Sequence, residues 1–161
     1  MASALGGTDE SIPTDVATTD ETGFDRVLVA VDGETPAAVG RVAVAEAARH
    51  GARVDALSIV RMTASVDGWD VIVERREDSA ETALEAVDDA AVGTDVSVSK
   101  RLRYGDPAAE IASYADHNDV DLVVIGEPTR TGLRRYLSPT SVTGRVRRAS
   151  SVPVLTVPAD D

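Results

Sequence analysis

Hydrophobic positions in this chain follow two rhythms that take turns from Arg26 to Val157. Short continuous apolar runs of strand length alternate with longer stretches in which apolar residues recur every three or four positions. Arg26 to Asp32 (RVLVAVD) opens the series and reads as a strand covered on both faces, since its interior is apolar throughout. Thr35-Pro36 then predicts a helix start, with Thr35 as N-cap and Pro36 in the first turn. Ala38, Val42, Ala45 and Arg49 set the stripe of that helix, and His50-Gly51 ends it. Val54 to Val60 (VDALSIV) predicts the second strand.

Met62 to Asp70 reads as a loop holding the single tryptophan, Trp69. A long helix is predicted from about Val71 to Ala91, with Ile72, Arg76, Ala80, Leu84, Val87 and Ala91 near helical spacing. Asp95 to Tyr104 alternates as a strand with Val96, Val98 and Leu102 on one face. Asp106-Pro107 repeats the cap-plus-proline start, and Ile111, Ala112 and Ala115 carry that helix to His117. Val120 to Ile125 is the next strand, a helix begins near Thr140-Ser141, and Val152 to Val157 is the last strand. Residues 1–23 are small, polar and acidic, and predict a disordered tail that adds solubility. Residues 24–161 are then one folded domain, long enough to bury a core.

Five strands with four intervening helices predict an α/β fold, a doubly wound and mostly parallel sheet with helices on both faces. Such sheets hold ligands beyond the carboxyl ends of the strands, where the winding reverses. Asp32-Gly33, after the first strand, and Gly126 onward, after the fourth, are therefore the candidate site.

Composition narrows the chemistry. The chain has no cysteine and two histidines, which excludes disulfides and thiol catalysis and leaves little for an imidazole metal site. No run approaches the ~18–20 apolar residues of a membrane span, and MASALGG lacks the pattern of a secretory signal. A cytoplasmic protein is expected. The net charge of −12 argues against a nucleic-acid partner, because phosphate backbones are repelled. Asp outnumbers Glu, Lys100 is the single lysine, aromatics are scarce, and Ala and Val abound. This composition resembles that of proteins from salt-loving archaea, where carboxylates maintain solubility. The charge is then a solvent adaptation.

One stretch departs from that acidity. Arg130, Arg134, Arg135, Arg145, Arg147 and Arg148 all follow Gly126, with Glu127 as the sole acid before Ser151. A positive field where a strand ends and a helix begins suits an anionic ligand such as a phosphate chain. Arg130, Arg134 and Arg135 are the candidate ligands. Arg145, Arg147 and Arg148 read as a solvated face near a helix C-terminus. Gly126, Gly132 and Gly144 admit close backbone approach to phosphate, or serve as ordinary turn glycines. Thr140 and Ser141 offer hydroxyls and free N–H groups at a helix start, with Ser138 or Thr140 as its cap. Pro139 supplies no N–H there. Asp32 either accepts from a ribose hydroxyl or caps the turn at Gly33. His50 and His117 fall at helix ends opposite the crevice. The phosphate-loop pattern G-x-x-x-x-G-K-[ST] and the dinucleotide pattern G-x-G-x-x-G are both absent.

With these residues placed, Arg26 to Pro158 resembles the universal stress proteins of the UspA type. The resemblance rests on RVLVAVDGETPAA, VDALSIVR, GDPAAEIASYADHNDVDLVVIG and TSVTGRVRRASSVPVLTV, in that order. It implies a Rossmann-like five-stranded sheet of order 3-2-1-4-5 and a homodimer paired through the final strand, Val152 to Val157. One branch of that family binds ATP through G-x2-G-x9-G-[ST]. Gly126 matches its first glycine, Thr129 stands at the second, and Thr140 at the third before Ser141-Val142, with a loop one residue longer. Asp32 matches the acid expected near ribose, and Ile59 the apolar contact expected near adenine. The binding set implied is Asp32, Ile59, Gly126, Thr129, Arg130, Gly132, Thr140, Ser141 and Val142, with ATP or AMP as ligand and magnesium only alongside ATP. A stress-response regulator follows, acting by binding and not by turnover. The alternatives are an adenine-nucleotide hydrolase or phosphotransferase, and a ligand-free dimeric scaffold.

Overall fold

The computed structural model describes residues 23–62, 69–127 and 141–158. The expected acidic tail and most of the Met62–Asp70 loop lie outside the described residues. Strands and helices alternate in chain order. They are β1 (Arg26–Ala30), α1 (Ala37–His50), β2 (Arg53–Arg61), α2 (Trp69–Ala90) and β3 (Val98–Gly105), then α3 (Pro107–His117), β4 (Leu122–Gly126), α4 (Val142–Ala149) and β5 (Val154–Val157). The five strands form one parallel sheet in the order β3-β2-β1-β4-β5. This is the expected Rossmann-like architecture. The winding reverses between β1 and β4, where Val27 pairs with Val54 on one side and Leu122 on the other.

β1 beyond Arg26, and β4, are apolar at both parities because each parity meets its own helix layer. Val27, Val29 and Val124 pack in one core with Val39, Ala43 and Ala47 of α1 and Leu84 and Val87 of α2. Leu28, Leu57, Val123 and Ile125 pack in the other with Ile111, Tyr114 and Ala115 of α3 and Val146 of α4. Each valine, leucine or isoleucine among them, fully withdrawn from water, contributes about 1.5–3 kcal/mol, so these two layers hold the site's framework.

Three local expectations change. The buried face of α1 is Val39, Gly40, Ala43, Val44 and Ala47, while Ala45 and Arg49 are exposed. In this alanine-rich helix nearly every stripe is small enough to face inward, and only contact with the sheet selects one. Thr35 does not cap α1. Pro36 occupies the N-cap position, with no side-chain hydrogen bond, since Thr35 Oγ1 is engaged by Asp32. The cap of α4 is Ser141, whose Oγ accepts from Gly144 N at 3.1 Å. The Asp106 cap of α3 is as expected, accepting from Ala109 N at 3.0 Å with Pro107 behind it.

A buried charge sits inside the second core. Asp55 is 2% exposed, accepts from Tyr114 Oη at 2.8 Å and lies 3.4 Å from Arg26 Nη1. Burial first, and then the bond to Asp55, push the Tyr114 phenol above its ordinary range. The two sheet edges differ. β3 carries Lys100, Arg101 and Arg103, and Lys100 reaches Glu85 and Asp88 of α2 at 3.1 and 3.2 Å. β5 reads VLTV, without a charge.

Candidate functional site

The turn leaving β1 is built around one carboxylate. Asp32 Oδ1 accepts from Glu34 N at 2.8 Å and from Thr35 Oγ1 at 3.0 Å, while Asp32 N donates to Thr35 Oγ1 at 2.8 Å. Short polar residues form such turns because the side chain replaces a backbone acceptor. The turn-capping reading of Asp32 therefore holds, and it uses only Oδ1. Among the described residues Oδ2 has no hydrogen-bond partner.

The turn leaving β4 starts at Gly126. A Cβ there would stand 3.2 Å from Val39 Cγ2, tighter than side chains usually pack, so glycine lets β4 and α1 meet. Gly126 O accepts from Thr143 Oγ1 at 3.3 Å, and this bond ties the first turn of α4 to the strand end. Gly144 N is satisfied by Ser141 Oγ, and among the described residues the N–H groups of Val142 and Thr143 at the helix start have no acceptor.

These two turns open on the same crevice, a cleft of about 840 Å³ along the carboxyl ends of the strands. That is within the range of small-ligand sites. Asp32 and Gly33 line it from β1, Ile59 from β2, Gly126 and Glu127 from β4, and Ser141 and Val142 from α4. Five of the nine residues implied by the resemblance thus share one cleft. The other four, Thr129, Arg130, Gly132 and Thr140, lie outside the described residues, as do Arg134, Arg135, Ser138 and Pro139.

The described residues bring further cations to the cleft. Among the described residues its cations are Arg61 at the end of β2, Arg75 and Arg76 on α2, and Arg145 on α4. The first three escaped sequence reasoning. Arg145 is not part of a solvated C-terminal face. It lies in the first half of α4 and reaches α3, where Nη1 and Nη2 meet Asp106 Oδ1 and Oδ2 at 3.1 and 2.7 Å. That two-bond contact, then the bond from Ala109 N, hold the Asp106 carboxyl below its usual range, and the same pair raises Arg145. A forked guanidinium on a carboxylate fixes orientation as well as charge, so the pair braces α3 against α4 beside the cleft. Arg147 and Arg148 do occupy the last turn of α4.

The lining also includes Ser58 and Ser79. Ser58 is 1% exposed, and its Oγ has no hydrogen-bond partner. Its position inside an apolar strand disguised it. His50 and His117 close their helices away from the cleft; His50 stacks at a tilt on Phe24, and His117 Nδ1 meets Ser113 O at 2.7 Å. No group of three or more His, Asp or Glu residues is placed to hold a metal ion among the described residues. None of the described helices is long and apolar enough to cross a membrane.

The universal stress protein family model matches residues 23–158, a range that includes every residue described as lining this cleft. The chain belongs to the universal stress protein family. A universal stress protein of Methanocaldococcus jannaschii is 29% identical over 140 residues, covering 83% of this chain and 82% of its own. Among solved structures, the universal stress protein UspA from Lactobacillus plantarum superposes with a TM-score of 0.68 at 26% identity, over 84% of this chain and 99% of that one. A universal stress protein solved in complex with cAMP shares the fold with a TM-score of 0.69 at 22% identity, over 84% and 98% of the two chains.

Proposed function

We propose that this universal stress protein binds an adenine nucleotide in the cleft and acts as a stress-response regulator, by binding and not by turnover. The observation that carries the reading is the meeting of the Asp32 and Gly126 turns on one cleft of nucleotide size. Asp32 Oδ2 accepts from a ribose hydroxyl, and Ile59 packs on the adenine. Gly126 admits the phosphate, which meets the free N–H groups of Val142 and Thr143 next to Ser141. Thr129, Arg130, Gly132 and Thr140 complete that side. The relative solved with cAMP supports an adenine ligand on this fold.

AMP suits this chain better than ATP. Thr129 and Thr140 add Cβ atoms where glycines would admit a triphosphate, and Pro139 removes an N–H donor. Magnesium enters only with ATP, as a partner of its phosphates. The working form is a homodimer through Val152 to Val157, because the uncharged β5 edge is otherwise open to pairing. The acidic, lysine-poor composition fits a cytoplasm of high salt.

Calorimetric titration with AMP and ATP in concentrated potassium chloride tests the reading. The intact chain binds AMP more tightly than ATP. Asp32→Asn keeps the turn acceptor and removes the charge, so AMP affinity falls about ten-fold, the scale of one charge-assisted hydrogen bond. Silence toward both nucleotides would leave the dimeric scaffold. Magnesium-dependent hydrolysis abolished by Asp32→Asn would transfer the assignment to a hydrolase.

A further inference from the structure

The cleft has a corner on the β2–α2 side that the nucleotide reading does not use. Arg61 leaves the end of β2, and Arg75 and Arg76 come from α2, Arg76 fifteen residues later in the chain, yet all three line the same cavity. Arg76 Nη1 donates to the backbone Arg61 O at 2.5 Å, which fastens the helix to the strand end. Arg61 and Arg75 form no ion pair among the described residues, although the chain carries 28 carboxylates. Arg61 also feels the Asp106 carboxylate across the cleft, whereas Arg75 and Arg76 have no carboxylate partner among the described residues, so an anion at this corner supplies the charge that they lack.

A second observation at the same cleft points to a ligand. Ser58 lines the cavity from β2, three residues before Arg61, and its buried Oγ has neither donor nor acceptor partner. A buried hydroxyl left in that state is costly, and it is rare unless something outside the chain completes it. Ser79, one turn beyond Arg75 on α2, adds a hydroxyl that also faces this cavity.

We propose that Arg61, Arg75 and Arg76, with the Ser58 hydroxyl, form an oxyanion subsite that takes a phosphate group of the bound ligand. It is separate from the β4–α4 end, where the reading above puts the nucleotide phosphate. Two strand spacings of about 4.8 Å separate β2 from β4 across the sheet, so the two anion positions stand roughly 10 Å apart. A ligand with an anionic group at each end of that span engages both. The subsite rests on the cleft being a ligand site, but not on that ligand being adenylate.

Inorganic pyrophosphate and adenosine, titrated separately into the full chain at one fixed potassium chloride concentration, test the two ideas apart. Three chains are compared: the unmodified protein, Arg75→Ala/Arg76→Ala, and Arg147→Ala, which removes an exposed cation from the far end of α4. Pyrophosphate is expected to bind the unmodified chain. Its affinity should drop about ten-fold or more in the double variant and stay within about two-fold in Arg147→Ala. Adenosine affinity should be equal in all three. Absence of pyrophosphate binding, or equal losses in both variants, overturns the subsite. Pyrophosphate binding that depends on Arg75 and Arg76, together with no adenosine binding, supports the subsite and overturns the nucleotide reading. Circular dichroism of the double variant checks folding, and Arg75→Lys/Arg76→Lys, which keeps the charge, should recover part of the pyrophosphate affinity.

Discussion

Replacing Ser58 by alanine should make the ligand-free protein more stable. The hydroxyl is 1% exposed and its Oγ is unpartnered, so folding strips its water and returns no bond. That penalty is about 1–3 kcal/mol for a buried neutral group. Removing one oxygen leaves a void of roughly 10 Å³, and at about 24 cal/mol per Å³ the void costs about 0.2 kcal/mol. The net expectation is a gain of about 1–2.5 kcal/mol. For a domain of this size that is a rise in Tm of about 2–10 °C. Urea unfolding at fixed salt measures it, and an unchanged slope with denaturant shows that stability has changed without a change in the compactness of either state. The ligand-bound protein should behave oppositely, with a smaller stabilisation by pyrophosphate in Ser58→Ala than in the unmodified chain. A loss of 0.5 kcal/mol or more in the ligand-free variant would show that the hydroxyl has a partner, and would refute the reasoning.

Two further expectations concern the framework. Tyr114→Phe leaves the buried Asp55 carboxylate with Arg26 at 3.4 Å and should cost about 1–3 kcal/mol in urea unfolding. The Tyr114 phenol is raised in the folded state, so its contribution is present below about pH 10 and declines as pH climbs toward the folded value; Tyr114→Phe should lose less stability over that range. At the β5 edge, Leu155→Lys sets a charge on a strand that otherwise has none; if the proposed pairing holds, sedimentation should show a dimer for the unmodified chain and a monomer for Leu155→Lys. A Leu155→Lys protein that still sediments as a dimer would move the interface elsewhere.

Much of this protein can be read along its chain because its elements announce themselves within about ten residues. β1 and β4 are apolar at both parities, which only a sheet covered on both faces accommodates. Asp106-Pro107 and His50-Gly51 mark helix ends by local chemistry, and both helices begin or end there in the fold. From those elements the doubly wound architecture follows, and with it the edge of the sheet where Asp32 and Gly126 meet, while the strand order came from the family resemblance. The face of α1 was less legible, since a helix rich in alanine presents several equivalent stripes.

Contacts between distant segments were decided only by folding. Arg145 and Asp106 are 39 residues apart, and α3 and α4 must pack before one guanidinium can fork onto the other's cap. Arg61 and Arg76 come together because α2 runs back along β2, and Ser58 becomes an orphan only once the core closes over it. Hydrophobic periodicity carries the backbone's path, because burial acts on every residue of an element in the same sense. Charges and hydroxyls act one pair at a time over a few ångströms. Their partners are therefore set by the tertiary structure, and in this chain so is the character of the cleft.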